Sequence, residues 1–186
     1  MNVLLVRHGE TNWNREGRYQ GRTDIPLSAD GEAQVRALGL RLAHIPIARA
    51  ISSPLSRARR TAEAILTGRT TPLELDEGLL EISHGEWEGQ LASDLELSHA
   101  EMFGTWRTNP DRHVPAGPGA ETLGDVEDRA WPVLLGLPLS RVWMFRQAPA
   151  TLNVLSGPSI AELQLVRLND SEHASPLLSE ALHRAI

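Results

Sequence analysis

The stretch Leu4-Leu5-Val6-Arg7-His8-Gly9-Glu10-Thr11 limits the fold of this chain more than any other. The run Val3 to Val6 reads as a short buried strand that stops where the polar residues begin. In an open α/β sheet, ligands bind just past the carboxyl ends of strands, so Arg7 and His8 fall at the mouth of a site. Arginine offers a planar fork matched to phosphate oxygens. Histidine can serve as nucleophile, base or ligand near neutral pH. Gly9 permits a tight turn and close backbone approach.

The residues that follow carry loop and helix signals in turn. Asn12-Trp13-Asn14, Gly17, Gly21 and Asp24-Ile25-Pro26 make a polar loop punctuated by Gly and Pro. Ser28 then caps a predicted helix whose apolar positions are Val35, Leu38, Leu42 and Ile45, with Pro46 at its end. Ala48 to Ile51 predicts a second strand. Ser53 as cap and Pro54 as first residue predict a helix from Leu55 to Leu66. Arg57, Arg59 and Arg60 occupy its first turns, where cations oppose the helix dipole. That placement points to an anion for Arg57, while Arg59 and Arg60 fit a solvated basic face. Leu73 to Leu75 predicts a third strand, and 79–89 a loop with two glycines and several carboxylates. Short helices are expected over 91–107, ended by Asn109-Pro110, and another helix from near Glu121 to Trp131. Val142 to Phe145, Thr151 to Leu155 and Ile160 to Leu168 predict strands, the last two as a hairpin around Gly157-Pro158.

Composition narrows the function classes. A chain of 186 residues, 41% hydrophobic, suits one domain with a real core. No stretch approaches membrane-spanning length. With no cysteine, disulfides and thiolate chemistry are excluded. A net charge of −6 argues against general nucleic-acid binding, and all 18 basic residues are arginines. The first strand begins at once, which leaves no room for a signal peptide and makes cytoplasmic residence the expectation.

Taken together, the motifs resemble a known family. Arg7-His8-Gly9-Glu10-Thr11-x-Trp13-Asn14 resembles the signature of the histidine phosphatase superfamily, the phosphoglycerate mutase-like group. Gln20-Gly21 and Asp24 through Ser28 are similar to the stretch that follows it. Ser53-Pro54-Leu55-Ser56-Arg57-Ala58-x-x-Thr61-Ala62 resembles the second block, and Leu80-Glu81-Ile82 through Gly85-Glu86-Trp87-Glu88-Gly89 the third. Gly119-Ala120-Glu121-Thr122 resembles a segment before a late helix, and Gly136 through Leu155 the closing strands.

The resemblance implies a three-layer α/β/α domain over 1–186, with a mostly parallel central sheet, and phosphomonoester hydrolysis through a phosphohistidine. His8 would be the nucleophile. Arg7 and Arg57 would hold the equatorial oxygens of the transferring group. Glu81 would protonate the leaving alkoxide and then activate water. Asn14, Gln20 and Gly21 would contact phosphate or substrate, and His84 stands where relatives often carry an aromatic pocket residue. No cofactor or metal is implied, and the expected partner is a small phosphorylated substrate, with a homodimer left open. His44, His99, His113, His173 and His183 match nothing and are expected at the surface. A phosphoglycerate mutase is the alternative, but mutases carry extra arginines for a second phosphate, and only Arg107 and Arg112 are available here.

One departure stands out. The family carries a second catalytic histidine in a Ser/Ala-His-Gly block at the end of another strand. Here His-Gly occurs only at His8-Gly9 and His84-Gly85. The helix around Val126 to Trp131 runs straight into Pro132 through Pro138. By usual element lengths, roughly 20–30 residues are missing near 134–135. Either the gene lacks them or the sequence as given omits them. If the chain is complete, a core strand and one phosphoryl-facing donor are gone. The expectation is then a catalytically impaired family member that still binds phosphate.

Overall fold

A computed structural model describes residues 2–108, 111–130, 149–158 and 164–173. In chain order these form β1 (Asn2–Val6), α1 (Asn12–Glu16), α2 (Ala29–Leu42), β2 (Ala50–Ser52), α3 (Ser56–Leu66), β3 (Leu73–Leu75), α4 (Ala92–Ser98), α5 (Ala100–Thr108), α6 (Leu123–Ala130), β4 (Leu152–Ser156) and β5 (Gln164–Asp170). The strand expected at Val142 to Phe145, the start of the last strand at Ile160, the Asn109-Pro110 helix end, the 134–135 junction and His183 lie outside the described residues.

Local sequence explains most of these elements. Ser28 caps α2 by accepting from the Gly31 N–H, and Asp30 and Glu32 in its first turn suit the positive end of the helix dipole. Val35, Leu38 and Leu42 bury one stripe of α2. Leu38 and Leu42 meet Leu152, with Leu4, Val6, Ile65 and Val154 packed around them. Each such leucine contributes about 2 kcal/mol by leaving water. The helix ends at Leu42, before the turn that holds Ile45 and Pro46.

The expected cap of α3 needs correction. Ser53 does not cap α3: the N-cap residue is Leu55, with no side-chain cap bond. Asp24 does the work from a distance, its Oδ1 accepting from both the N–H and the hydroxyl of Ser56 at 2.7 Å. A carboxylate there offsets the dipole that the arginines of α3 oppose.

The described strands show part of the sheet. β1, β4 and β5 make one three-stranded sheet, both of its ladders antiparallel, and β2 and β3 make a separate parallel pair. Non-local pairing decides this, because short apolar runs fix a strand but not its neighbour. β4 and β5 are the expected hairpin.

A second core lies under the loops. Tyr19, Trp87, Leu95, Phe103, Trp106, Ala116 and Leu123 cluster there, with Trp87 fully enclosed. Tyr19 and Trp87 meet edge to face, with ring centroids 5.9 Å apart. This core anchors the 79–89 loop. Two histidines expected at the surface are in fact partly buried. His99 packs edgewise on Trp87. His173 reaches Arg41 of α2 and the Ala150 carbonyl, because the end of β5 folds back onto α2 through an Arg41–Asp170 ion pair.

Candidate active site

The carboxyl end of β1 is held from three sides. On the β4 side, Arg7 N–H donates to the Thr151 carbonyl at 3.2 Å and Ala150 N–H to the His8 carbonyl at 2.8 Å. Ala150 makes that contact with a φ of 57°, unusual for a residue with a Cβ. From α3, the Thr61 hydroxyl accepts the Gly9 N–H at 3.1 Å. From α2, Gly9 is approached so closely that a Cβ would meet Val35 Cγ1 at 2.7 Å. A glycine is therefore required at this contact.

These constraints fix the electronic state of His8. Its Nδ1 lies 2.7 Å from the Gly9 carbonyl. A carbonyl only accepts, so Nδ1 carries the proton and Nε2 keeps its lone pair. Burial, reinforced by the cations Arg7 and Arg57, pushes the imidazole down to about 3. His8 is therefore neutral, with Nε2 nucleophilic, across the physiological range. Burial also lowers Arg7, which Glu81 opposes and Arg57 reinforces. Arg7, His8, Arg57 and Glu81 thus act on one another electrostatically.

Arg57 has a side chain only 1% exposed and is tightly fixed. Its Nη1 donates to the Thr23 carbonyl at 2.9 Å and its Nη2 to the Gly21 carbonyl at 2.7 Å. Nη2 also holds Glu81 Oε2 at 2.6 Å, while buried Nε has no partner. An unpartnered buried guanidinium donor is costly unless a ligand supplies the acceptor. Gly21 takes a positive φ of 55°, which aims its carbonyl at Arg57. Arg59 and Arg60 pair with Glu63 and Glu32, as a solvated basic face should.

The other expected contacts divide. Asn14 Oδ1 accepts the Thr11 N–H at 3.0 Å in a capping box, so its carbonyl is spent on structure. Gln20 Oε1 takes the Thr11 hydroxyl at 2.8 Å. Gln20, Glu81 and His84 line a shallow, solvent-open recess together with Gly17, Arg18, Tyr19 and Ala92. His84 Nδ1 donates to the Ala116 carbonyl at 2.9 Å, and burial lowers its pKa, so it is a neutral ring. Sequence reasoning missed Tyr19, which stands edge-on to His84 with centroids 4.5 Å apart. It also missed Glu88, whose carboxylate accepts the N–H groups of Arg22, Thr23 and His84 and so joins the loops on both sides of the recess. Among the described residues, no cluster of His, Asp or Glu could hold a metal, and no helix is long and apolar enough to cross a membrane.

Comparison with known proteins bears on this arrangement. A family model described as histidine phosphatase superfamily (branch 1) matches residues 3–137. The adenosylcobalamin/alpha-ribazole phosphatase of Salmonella typhimurium is 39% identical over 115 residues, 62% of this chain and 57% of that protein, so the match spans little more than half of the relative. Phosphoserine phosphatase 1 of Hydrogenobacter thermophilus is 29% identical over 99% of both chains. That alignment runs to 212 positions against a chain of 186 residues, so at least 26 positions have no counterpart here. The solved structure of Bacillus stearothermophilus YhfR covers 93% of this chain and 98% of its own with a TM-score of 0.82 at 27% identity.

Proposed function

We propose, from the premise that the chain belongs to the histidine phosphatase superfamily, that it hydrolyses small phosphomonoesters through a phosphohistidine on His8. The observation that carries this reading is the state of His8: a neutral ring, its Nδ1 proton tied to the Gly9 carbonyl, with the cations Arg7 and Arg57 acting on it. The phosphoryl group lies between Arg7 and Arg57, whose charge compensates the equatorial oxygens in a loose transition state. His8 Nε2 forms the N–P bond as the P–O bond to the leaving group breaks, and Glu81, having taken up the proton of the entering phosphomonoester monoanion, passes it to the departing oxygen. Glu81 then takes a proton from water, whose oxygen attacks phosphorus and frees His8 and inorganic phosphate. In the free site Glu81 sits on Arg57, so an arriving phosphate displaces it.

The chain lacks the second histidine of its family. The alignment positions without counterpart support an absent segment. β1 and β2 both deliver site residues from their carboxyl ends. Loss of one preorganised donor at a transferring group costs about 10²–10³ in rate. Turnover by this chain is therefore slow, while phosphate binding through Arg7 and Arg57 persists. Rapid-quench trapping of an acid-labile phosphoenzyme from an aryl phosphate tests the reading. A labelled protein supports it; neither label nor phosphate binding removes it. With a phosphoglycerate, transfer to the other carbon in place of phosphate release identifies a mutase.

A further inference from the structure

Arg129 of α6 spends all its guanidinium donors on the 78–81 backbone and on Glu121. Nη1 donates to the carbonyls of Gly78 and Leu80 at 2.9 and 2.6 Å. Nη2 donates to the Glu81 carbonyl at 3.2 Å and to Glu121 Oε2 at 3.1 Å, and Nε to Glu121 Oε1 at 3.2 Å. Five N–H groups are the whole capacity of an arginine. Glu121 continues the chain of contacts. Its Oε2 accepts the Ser83 N–H at 2.8 Å, and its Oε1 accepts from Arg22. Burial works to raise Glu121, but Arg129 and the Ser83 N–H hold its carboxyl below the usual range.

We propose that Arg129 and Glu121 form a clamp that positions Glu81 against Arg57. The clamp sets both the aim of the acid and the ease with which phosphate displaces it. The inference rests on the phosphatase reading for the role of Glu81. Glu81 stands in the middle of the gripped segment. Arg129 fixes the backbone on its amino side and at its own carbonyl, and Glu121 fixes it two residues beyond. No regular element runs through 80–84 to do this instead. Arg22 lies between Gly21 and Thr23, whose carbonyls hold Arg57. The same carboxylate therefore sets the acid loop in register with the phosphate-binding arginine. Arg129 and Glu121 are positioning residues, since neither touches the reacting atoms.

The test is a calorimetric titration of inorganic phosphate into the wild type, Arg57→Ala, Glu81→Gln, Arg129→Lys and the Arg129→Lys/Glu81→Gln double variant. Glu81 competes with phosphate for Arg57, so Glu81→Gln tightens phosphate roughly tenfold, the scale of one charge-assisted contact. Lysine keeps the charge of Arg129 but loses its fork. If the clamp holds Glu81 on Arg57, Arg129→Lys also tightens phosphate, by roughly threefold, a fraction of that contact, and adds nothing once Glu81 is Gln. A merely structural arginine weakens phosphate in both backgrounds, and that result, or no change at all, overturns the clamp. Phosphate affinity indifferent to Arg57→Ala overturns the phosphatase reading itself, so the two failures are told apart. Glu121→Gln, nearly isosteric, is the second variant and shifts phosphate the same way. In single-turnover phosphoenzyme formation, Arg129→Lys slows an alkyl phosphate more than an aryl one; equal slowing counts against the clamp.

Discussion

On the side of the site proposed to hold phosphate, His8 and Arg57 stand at the ends of regular elements, one past β1 and one in the first turn of α3. Their partners are mostly backbone carbonyls, and Arg57 is almost sealed from solvent. On the side proposed for the leaving group, Glu81 and His84 ride a loop. Glu81 is 27% exposed, and the loop is held by side chains from far along the chain: Arg129, Glu121 and Glu88. The His8 side is polarised before any ligand arrives, since the Gly9 carbonyl fixes the tautomer of His8 and burial with two cations fixes its charge. The leaving-group side owes its geometry to a few polar contacts that can be loosened singly. Changes on the first side should delete the chemistry, and changes on the second should redistribute it among substrates.

The sharpest way to break this comparison is His8→Ala, which should remove every trace of acid-labile phosphoenzyme because no other group supplies the nucleophile. Normal turnover in that variant would end the mechanism. Next in size is the segment proposed to be absent. Grafting a strand–His-Gly–helix piece between Leu134 and Leu135 should raise turnover by about 10²–10³ and raise Tm with it. Robust turnover of the ungrafted chain would show that the second donor is not needed here.

Glu81→Gln should act selectively. Removing a general acid costs about 10²–10⁴ where the leaving group needs a proton. The loss should therefore be large for an alkyl phosphate and small for an aryl phosphate, whose oxygen departs as an anion. Matched losses on the two substrates would remove Glu81 from the role of acid.

The smallest effect concerns pH. His8 titrates near 3 in the folded chain but near 6.5 when unfolded. Between these values the unfolded state binds the extra proton, so stability rises with pH up to about 6.5 and is lost as pH falls toward 3. Denaturant melts from pH 7 to 4 should show this slope in the wild type and a shallower one in His8→Ala. NMR of the His8 ring should show no titration near neutrality, and a midpoint near 6.5 would contradict the buried, cation-flanked site.

How much of this could be read beforehand follows from the range of each interaction. β1, the Ser28 cap, the apolar stripe of α2, the hairpin of β4 and β5, and the helix bearing Arg57 were legible because each is written within a few consecutive residues. His8, Arg7, Arg57 and Glu81 were legible as a set only through the ordered motifs. The tertiary structure alone decided what faces what. It paired β1 with β4 and set β2 apart with β3. It gave the cap of α3 to Asp24 and not Ser53, turned His173 inward onto Ala150, and laid Glu81 on Arg57. It also brought Arg129 and Glu121 to the backbone around Glu81, some forty positions away. Periodicity and capping are local properties, so the sequence carries them openly. A strand's neighbour or a buried charge's partner depends on chain closure and desolvation over the whole molecule, and no short stretch of residues encodes that.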